Sequence, residues 1–259
     1  YKYEYFTNPS QQTVISEGPN GFNFDGGGGI YIGRNFNIND YPNETDTVRE
    51  GIYNVTINNV DIYNNETLEN GGGICIPNTI WDKNNLTILK ANIYGNRSGL
   101  DGGGIYFYGG GALDILNANI YGNEAKESGG GIFCDAPANI GNYNGRNGKV
   151  IIGDTINRLA IENDYSNKAN YGGGIYIAYS KKFNITNTII QRNYANLAGG
   201  GFYFGGQTMD DGVVSSSTLI QYNYAENGGG AYLFDLCSDF GATVKYNKAI
   251  NGGGIYSRG

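Results

Sequence analysis

The chain contains no histidine, and methionine, tryptophan, cysteine and proline are scarce, with one, one, three and five residues among 259. The lack of histidine excludes imidazole metal sites and the serine–histidine–aspartate triad. No apolar run approaches the roughly 18 residues of a transmembrane helix. The net charge of -7 disfavours binding to nucleic acid or to an anionic membrane. We therefore expect no nucleic-acid partner and no membrane insertion.

Glycine and tyrosine are abundant instead, with 44 and 23 residues. A run of three glycines followed by an apolar residue recurs at intervals of 24 to 44 residues. Repeats of roughly 20 to 50 residues are typical of solenoids, propellers and arrays. The runs begin at Gly27, Gly71, Gly102, Gly129, Gly172, Gly199, Gly228 and Gly252.

Residues that follow each glycine run alternate between two types, as where Ile105 and Phe107 flank Tyr106. This alternation predicts a strand with one buried face. The residues between the inward positions are mostly aromatic, and we call them the aromatic column. Its members are Tyr31, Tyr106, Phe133, Tyr176, Tyr203, Tyr232 and Tyr256, with Cys75 in the second coil.

A second pattern ends on a recurring asparagine. Apolar residues precede it by 3, 5, 8 and 10 positions, as do Ile120, Ala118, Ile115 and Leu113 before Asn123. The one-residue phase slip predicts two short strands separated by a corner. Stacked asparagines can hydrogen-bond along a column and satisfy polar groups buried in the turn. The predicted asparagine column is Asn65, Asn96, Asn123, Asp164, Asn193, Asn223 and Asn247.

Together these patterns predict an all-β fold, a right-handed parallel β-helix (β-solenoid) of about seven to eight coils. We assign residues 26–259 to one solenoid domain. Residues 1–25 lack the repeat and are interpreted as a lead-in, a cap or an inter-subunit segment. The two longest intervals place loops at residues 33–53 and 135–153.

The paired motifs resemble those of the polymorphic outer membrane protein repeat family, F-x-x-N and G-G-A-I. This chain has Ile93-Tyr94-Gly95-Asn96 followed by Gly102-Gly103-Gly104-Ile105. It departs from the family in having Ile or Val for Phe and a third Gly for Ala. The resemblance extends over nearly everything after residue 26 and implies right-handed parallel β-helices at cell surfaces, tied to adhesion. The family's C-terminal membrane-anchoring barrel has no counterpart here, so anchoring is not carried over.

Two cysteines, Cys75 and Cys134, fall two coils apart, about 9.6 Å at the strand spacing of about 4.8 Å. That separation exceeds the reach of a disulfide. We interpret the cysteines as small packing residues, with Cys75 and Cys237 as candidates for a contact with another chain.

Six Asn-x-Ser/Thr sequons occur in the sequence. Two of them, at Asn65 and Asn96, occupy the asparagine column, where burial would exclude a glycan. The others fall at corners, in the first long loop or at an outward strand position. If the source is a eukaryote, we predict N-glycans on Asn43, Asn54, Asn85 and Asn184; unmodified asparagines on polar turns are the alternative.

Parallel β-helices also include polysaccharide lyases and hydrolases, so acidic side chains are candidate catalytic groups. An inverting hydrolase needs two carboxyl groups facing one cleft. Asp210 and Asp211 are adjacent, but a solvated loop tip explains them as well. The candidates are Asp154, Glu162, Asp164, Asp210, Asp211 and Asp235. We predict no enzymatic activity, no cofactor and no metal site.

The sequence therefore predicts an extracellular or cell-surface structural and adhesive protein carrying N-glycans. The final glycine run is followed by only part of a coil, so we expect either a slice of a longer protein or head-to-tail stacking into a filament. The alternatives are a module that binds surface polysaccharide through the aromatic column, and a polysaccharide lyase or hydrolase.

Overall fold

The computed structural model describes residues 4–8, 11–15, 29–32, 52–77, 83–155, 165–178, 182–206, 211–234 and 239–258. Within these ranges the chain forms strands and turns without helices, and hence no helix able to span a membrane. Three parallel sheets run along the molecule, one strand stacked on the next. The predicted parallel β-solenoid is confirmed.

Each glycine run leads into a strand of the first sheet, sheet I, which has eight strands. Their bounds are Ile30–Tyr31, Ile74–Ile76, Ile105–Tyr108, Ile132–Asp135, Ile175–Ile177, Phe202–Phe204, Ala231–Leu233 and Ile255–Ser257.

Sheet II is the largest, with twelve strands, and contains the two strand segments that precede each asparagine. They are Ile52–Tyr63, Lys83–Tyr94, Leu113–Leu116, Asn119–Tyr121, Ala138–Ile140, Val150–Ile152, Lys182–Ile185, Thr188–Gln191, Asp211–Val214, Leu219–Gln221, Asp239–Phe240 and Thr243–Lys245.

Sheet III has seven strands, which follow the asparagine turn. They are Glu66–Thr67, Arg97–Ser98, Glu124–Ala125, Lys168–Tyr171, Tyr194–Ala198, Tyr224–Asn227 and Lys248–Asn251.

The predicted corner within sheet II is a single residue in the left-handed backbone region. Asn59, Lys90, Asn117 and Asn187 hold it on different coils, with φ of 58°, 53°, 51° and 45°. In Ile52–Tyr63 and Lys83–Tyr94 this residue turns the chain within one continuous strand, and the side-chain alternation resumes one position later. The phase slip in the sequence therefore marks a real corner.

A single core fills the space between the three sheets. It consists of the predicted inward residues, and Ile88, Ile93, Ile105 and Phe107 are each 0% exposed. Because every coil contributes the same apolar positions, burial of each side chain depends on the coils on both sides of it.

Two features of the structure, backbone conformation and close packing against the next coil, explain the glycines of each triple run. The first glycine has positive φ, as at Gly102 (66°). The third faces the coil that follows: a Cβ on Gly104 would lie 2.6 Å from the carbonyl oxygen of Gly131 and 3.0 Å from Nδ2 of Asn123. Real Cβ atoms do not approach backbone oxygens that closely, so the position requires glycine.

One coil differs from the prediction. Residues 135–153 are not a loop, because Ala138–Ile140 and Val150–Ile152 are both strands of sheet II. A short antiparallel hairpin, Asn142–Tyr143 with Arg146–Asn147, lies between them. The inserted residues are therefore divided between this hairpin and the stretch of chain that separates Ile152 from Asn167.

In the same coil, the asparagine column has a different member from the one predicted. The prediction that Asp164 belongs to it is wrong, because Asn167 accepts from Asn123 and donates to Asn193. Asp164 itself lies outside the described residues. The fixed spacing between apolar residues and asparagine, which selected residue 164, does not hold in this coil, because inserted residues separate the strand Val150–Ile152 from Asn167. The interval to the next glycine run, which is five residues from Asn167 and eight from Asp164, is the sequence signal that favours Asn167.

The N-terminal residues form a separate antiparallel hairpin, Glu4–Asn8 with Gln11–Ile15. Its second strand lies next to the first coil, close to Ile30–Tyr31 and Ile52–Tyr63. This segment is the only described part of residues 1–25.

Candidate functional site

The asparagine column is a continuous hydrogen-bonded ladder at the turn between sheets II and III. Nδ2 of Asn123 donates to Oδ1 of Asn167 at 3.0 Å and to the carbonyl oxygen of Ile93 at 2.9 Å. Its Oδ1 accepts from the backbone N and Nδ2 of Asn96, both at 3.0 Å. The same pattern joins the other members, and the ladder is Asn65, Asn96, Asn123, Asn167, Asn193, Asn223 and Asn247.

The aromatic column of sheet I lies outside the core, but its rings cover one another. Neighbouring ring centroids from Tyr106 to Tyr256 are 4.7 to 5.3 Å apart. Tyr106, Phe133 and Tyr232 are each only 8% exposed. Tyr31, Tyr176, Tyr203 and Tyr256 are half-buried. As a possible binding face, the column therefore has three nearly covered members, and stacking at one strand spacing leaves no room for a ligand between ring faces.

Two cysteines are also enclosed. Cys75 is 0% exposed and packs with Tyr106 and Phe133, so the prediction of a contact with another chain is wrong for this residue. Cys134 lies in the core, where burial raises the pKa of its thiol to about 12, and Sγ donates to the carbonyl oxygen of Ala136. Neither thiol is accessible to solvent. Cys237 lies outside the described residues.

A second column of tyrosines is open to solvent. Tyr63, Tyr94 and Tyr121 occupy the position two residues before the ladder, on the outer face of sheet II. Their rings are parallel, with centroids 4.9 and 5.0 Å apart. Tyr63 is 51% exposed. The stack breaks at Tyr165, whose ring is tilted by 40° at 6.3 Å from Tyr121.

Next to this tyrosine column, a groove of about 310 Å³ follows the turn between sheets II and III. The residues just before the ladder line it, namely Asn64, Gly95, Gly122 and Ser166. The first three have φ of 55°, 65° and 64°. Ser166 is 1% exposed, yet its Oγ has no hydrogen-bond partner.

The far side of the groove is a row of charges of alternating sign. Glu66, Arg97, Glu124 and Lys168 are paired across neighbouring strands of sheet III and line the groove. Nε of Arg97 lies 3.6 Å from Oε2 of Glu124, and both side chains are more than half exposed, at 67% and 52%. Alternation of sign on adjacent strands avoids like-charge pairs.

Larger side chains occupy the same turn position in later coils. Arg192, Tyr222 and Tyr246 replace the glycines there, at φ of 52°, 57° and 56°. The Arg192 guanidinium lies 4.8 Å from the Tyr222 ring centroid, and Tyr222 stacks on Tyr246 at 5.2 Å. The groove thus lies along the coils whose turn holds Asn64, Gly95, Gly122 or Ser166.

The predicted glycosylation sites differ in access. Asn54 is exposed, whereas Asn85 and Asn184 are half-buried. Nδ2 of Asn85 donates to Oδ1 of Asn54 at 2.8 Å, which places these two on neighbouring coils as predicted. Asn43 lies outside the described residues. Asn96, in the ladder, is 0% exposed.

Only two of the candidate carboxylates, Asp154 and Asp211, lie within the described residues. Asp154 is 3% exposed. Asp211 begins a strand of sheet II. The other candidates, Glu162, Asp164, Asp210 and Asp235, lie outside the described residues. Across the part of the chain that the structure describes, no group of three or more Cys, Asp or Glu side chains could hold a metal ion.

One buried carboxylate gives a prediction about pH. Asp114 is 6% exposed, and burial raises its pKa, opposed by a hydrogen bond from Nδ2 of Asn139 at 2.7 Å. A raised pKa in the folded state means that this residue's contribution is most favourable below the unfolded pKa of about 3.9 and is lost as the pH rises through the folded value. Asp114→Asn should therefore raise the thermal midpoint at pH 7, and the gain should shrink as the pH falls toward 4.

Thermal melts of both proteins between pH 3.5 and pH 8 measure this difference. The matched control is Asp61→Asn, because the exposed Asp61 also accepts from an asparagine amide, Nδ2 of Asn92 at 2.7 Å. A midpoint gain for Asp114→Asn that is independent of pH would contradict the assignment to burial of the charge.

The groove is not among the sites predicted from the sequence, although the sequence contains a signal for it. The triplet Tyr-Gly-Asn occurs at Tyr94–Asn96 and again at Tyr121–Asn123, each followed by a charged residue. When the coils are stacked, the glycines of the two triplets lie at a turn position that has no side chain, with the tyrosines before it and the charged residues after it.

No family model, no curated protein and no solved structure matches the chain.

Proposed function

We propose that the protein is an extracellular structural and adhesive β-solenoid of a cell surface, with no catalytic role. The observation that supports this best is that like side chains recur at one strand spacing along the outside, as in the Tyr63–Tyr94–Tyr121 stack at 4.9 and 5.0 Å. A surface with a regular repeat suits many identical contacts with a long partner. The buried asparagine ladder stiffens each coil against the next.

N-glycosylation is part of the proposal, and Asn54 is its best-supported site. The side chain is exposed at the start of a long strand pair, and Thr56 completes the sequon. A glycan here would extend from the edge of sheet II without entering the core. Asn96 has the same sequon chemistry but lies in the ladder, so a glycan there would prevent coil stacking.

Head-to-tail association of copies is also part of the proposal. Contacts between coils are parallel strand pairings, and a second copy stacked on the end would extend the same three sheets. In the last described coil, Ile255 is 42% exposed, whereas its counterparts Ile132 and Ile175 in earlier coils are 0% exposed. Stacking would bury Ile255. Because such a contact does not close on itself, it would grow a filament.

The test is immunogold labelling of the native cells, with antibodies raised against the purified chain and negative-stain electron microscopy. We expect gold on the outer surface, along filaments with a regular repeat. Glycopeptide mapping of the same material should find a glycan on Asn54 and none on Asn96. Gold confined to the cytoplasm would overturn the surface role, and surface gold on short single rods would overturn self-assembly.

A further inference from the structure

We propose that the groove beside the asparagine ladder binds a neutral polysaccharide chain that runs along the solenoid axis. This site is distinct from the aromatic column of sheet I. The proposal names the chemistry of the partner in the proposed adhesive function. It rests on the proposed function only in assuming that the protein lies at a cell surface.

The shape of the groove favours an extended polymer. The lining positions from Asn64 to Ser166 occupy four successive coils, a length of about 14 Å at the strand spacing of about 4.8 Å. The groove is open to solvent along its length, so a chain longer than the site can pass through it. Its volume of about 310 Å³ is at the small end of ligand sites, which fits a short stretch of a longer chain.

The repeat of the groove matches a sugar better than a peptide. Each coil presents one turn residue and one charged side chain, one strand spacing further along the axis. A pyranose unit in an extended chain is close to that length, so successive sugars would meet successive coils. An extended peptide advances only about 3.3 Å per residue and would fall out of step.

The chemistry of the lining suits hydroxyl groups. Carboxylates of Glu66 and Glu124 can accept from sugar hydroxyls, and Arg97 can donate to sugar oxygens. The Ser166 hydroxyl is buried without a hydrogen-bond partner, and such groups are rare unless a ligand or water satisfies them. The stacked tyrosine rings do not line the groove, and their faces are covered by one another, so the polar lining carries the recognition.

The charges favour a neutral chain over an acidic one. Two acids and two bases line the groove, so its formal charge is zero. The whole chain carries a net charge of -7, which repels polyanions at long range. A polyuronate or a nucleic acid would therefore gain little binding energy from the groove, and the negative charge of the whole chain would repel it.

The protein itself supplies a way to fill the groove. Tyr222 and Tyr246 occupy the same turn position as Gly122, two and three coils after Ser166, and have the same left-handed conformation. Gly122→Tyr should therefore keep the turn while blocking the groove. Tyr246→Gly removes a comparable ring at the same turn position outside the groove and is the matched control.

The experiment is isothermal titration calorimetry of the purified chain with neutral β-1,4-linked hexasaccharides of glucose and of N-acetylglucosamine. We expect at least one to bind, with affinity lowered about tenfold or more by Gly122→Tyr and changed less than about twofold by Tyr246→Gly. A hexasaccharide of galacturonate should bind more weakly. Raising the salt concentration should change the affinity of the neutral sugar little, since the groove has no net charge.

A second variant separates binding from folding. Ser166→Ala removes a hydroxyl that has no partner in the chain, so its thermal midpoint should be unchanged or higher, while its affinity for the sugar should fall about threefold or more. Absence of binding to both neutral hexasaccharides at millimolar concentration would overturn the inference. So would equal binding by Gly122→Tyr, or tighter binding of the acidic sugar. None of these results bears on the surface location tested by immunogold labelling.

Discussion

Replacing Gly104 by alanine is expected to destabilise the solenoid by about 3 kcal/mol or more, or to prevent its folding. The added Cβ would lie 2.6 Å from the carbonyl oxygen of Gly131 and 3.0 Å from Nδ2 of Asn123. The first of these is backbone on the next coil, so relief requires the two coils to separate and the parallel pairing to lengthen. Chemical denaturation followed by circular dichroism measures the loss.

The matched control is Gly254→Ala, at the same position of the last glycine run. There the nearest atom to an added Cβ is Cγ1 of Val244 at 3.6 Å, an ordinary contact. The two variants make the same chemical change in the same turn and differ in the presence of a following coil. Equal destabilisation by both would show that the cost lies in the turn conformation and not in coil stacking.

Asn123→Ala is the second change with a large expected effect. It leaves the backbone N–H of Asn96 and one N–H of its Nδ2 without an acceptor, in a place where Asn96 is 0% exposed. An unsatisfied buried donor costs about 1 to 3 kcal/mol, so we expect a loss of about 4 kcal/mol. Because a solenoid can unfold in parts, hydrogen exchange should also show faster exchange at Asn96 and its neighbouring coils.

Asn92→Ala is the control for this variant. Asn92 also belongs to a row of asparagine amides, donating to Asp61 and accepting from Asn119, but the row lies on the outer surface. Water can replace these bonds, so the expected loss is about 0.5 kcal/mol. If Asn92→Ala were as costly as Asn123→Ala, burial would not be the reason that the inner ladder stabilises the fold.

The sequence determined the repeating architecture. Triple glycines, alternating apolar residues and a recurring asparagine are sufficient to predict stacked parallel strands, because each coil must present the same turn and the same core positions to its neighbours. The one-residue slip before Asn123 also predicted a corner, and Asn117 holds it with φ of 51°. Local pattern and coil stacking specify the same structure at these positions.

Only the tertiary structure decided which asparagine enters the ladder in the coil with the insertion. A fixed spacing selected Asp164, whereas stacking selected Asn167, because the ladder bonds connect positions that are adjacent in space and not evenly spaced along the chain. Burial of the aromatic column was likewise beyond the alternation pattern. Alternation shows which face a side chain is on, but not whether its ring is covered by the next coil.

The groove, too, is defined by residues that are adjacent in space and distant in sequence. Tyr94, Gly95 and Arg97 are unremarkable in one coil, and each has a plausible local reason to be there. A site arises only when four coils align their turns, so that Asn64, Gly95, Gly122 and Ser166 form the floor and charged residues 27 to 44 positions apart form the wall. The sequence thus determined the fold through repeated local patterns, and the tertiary structure decided the site through the columns that stacking creates.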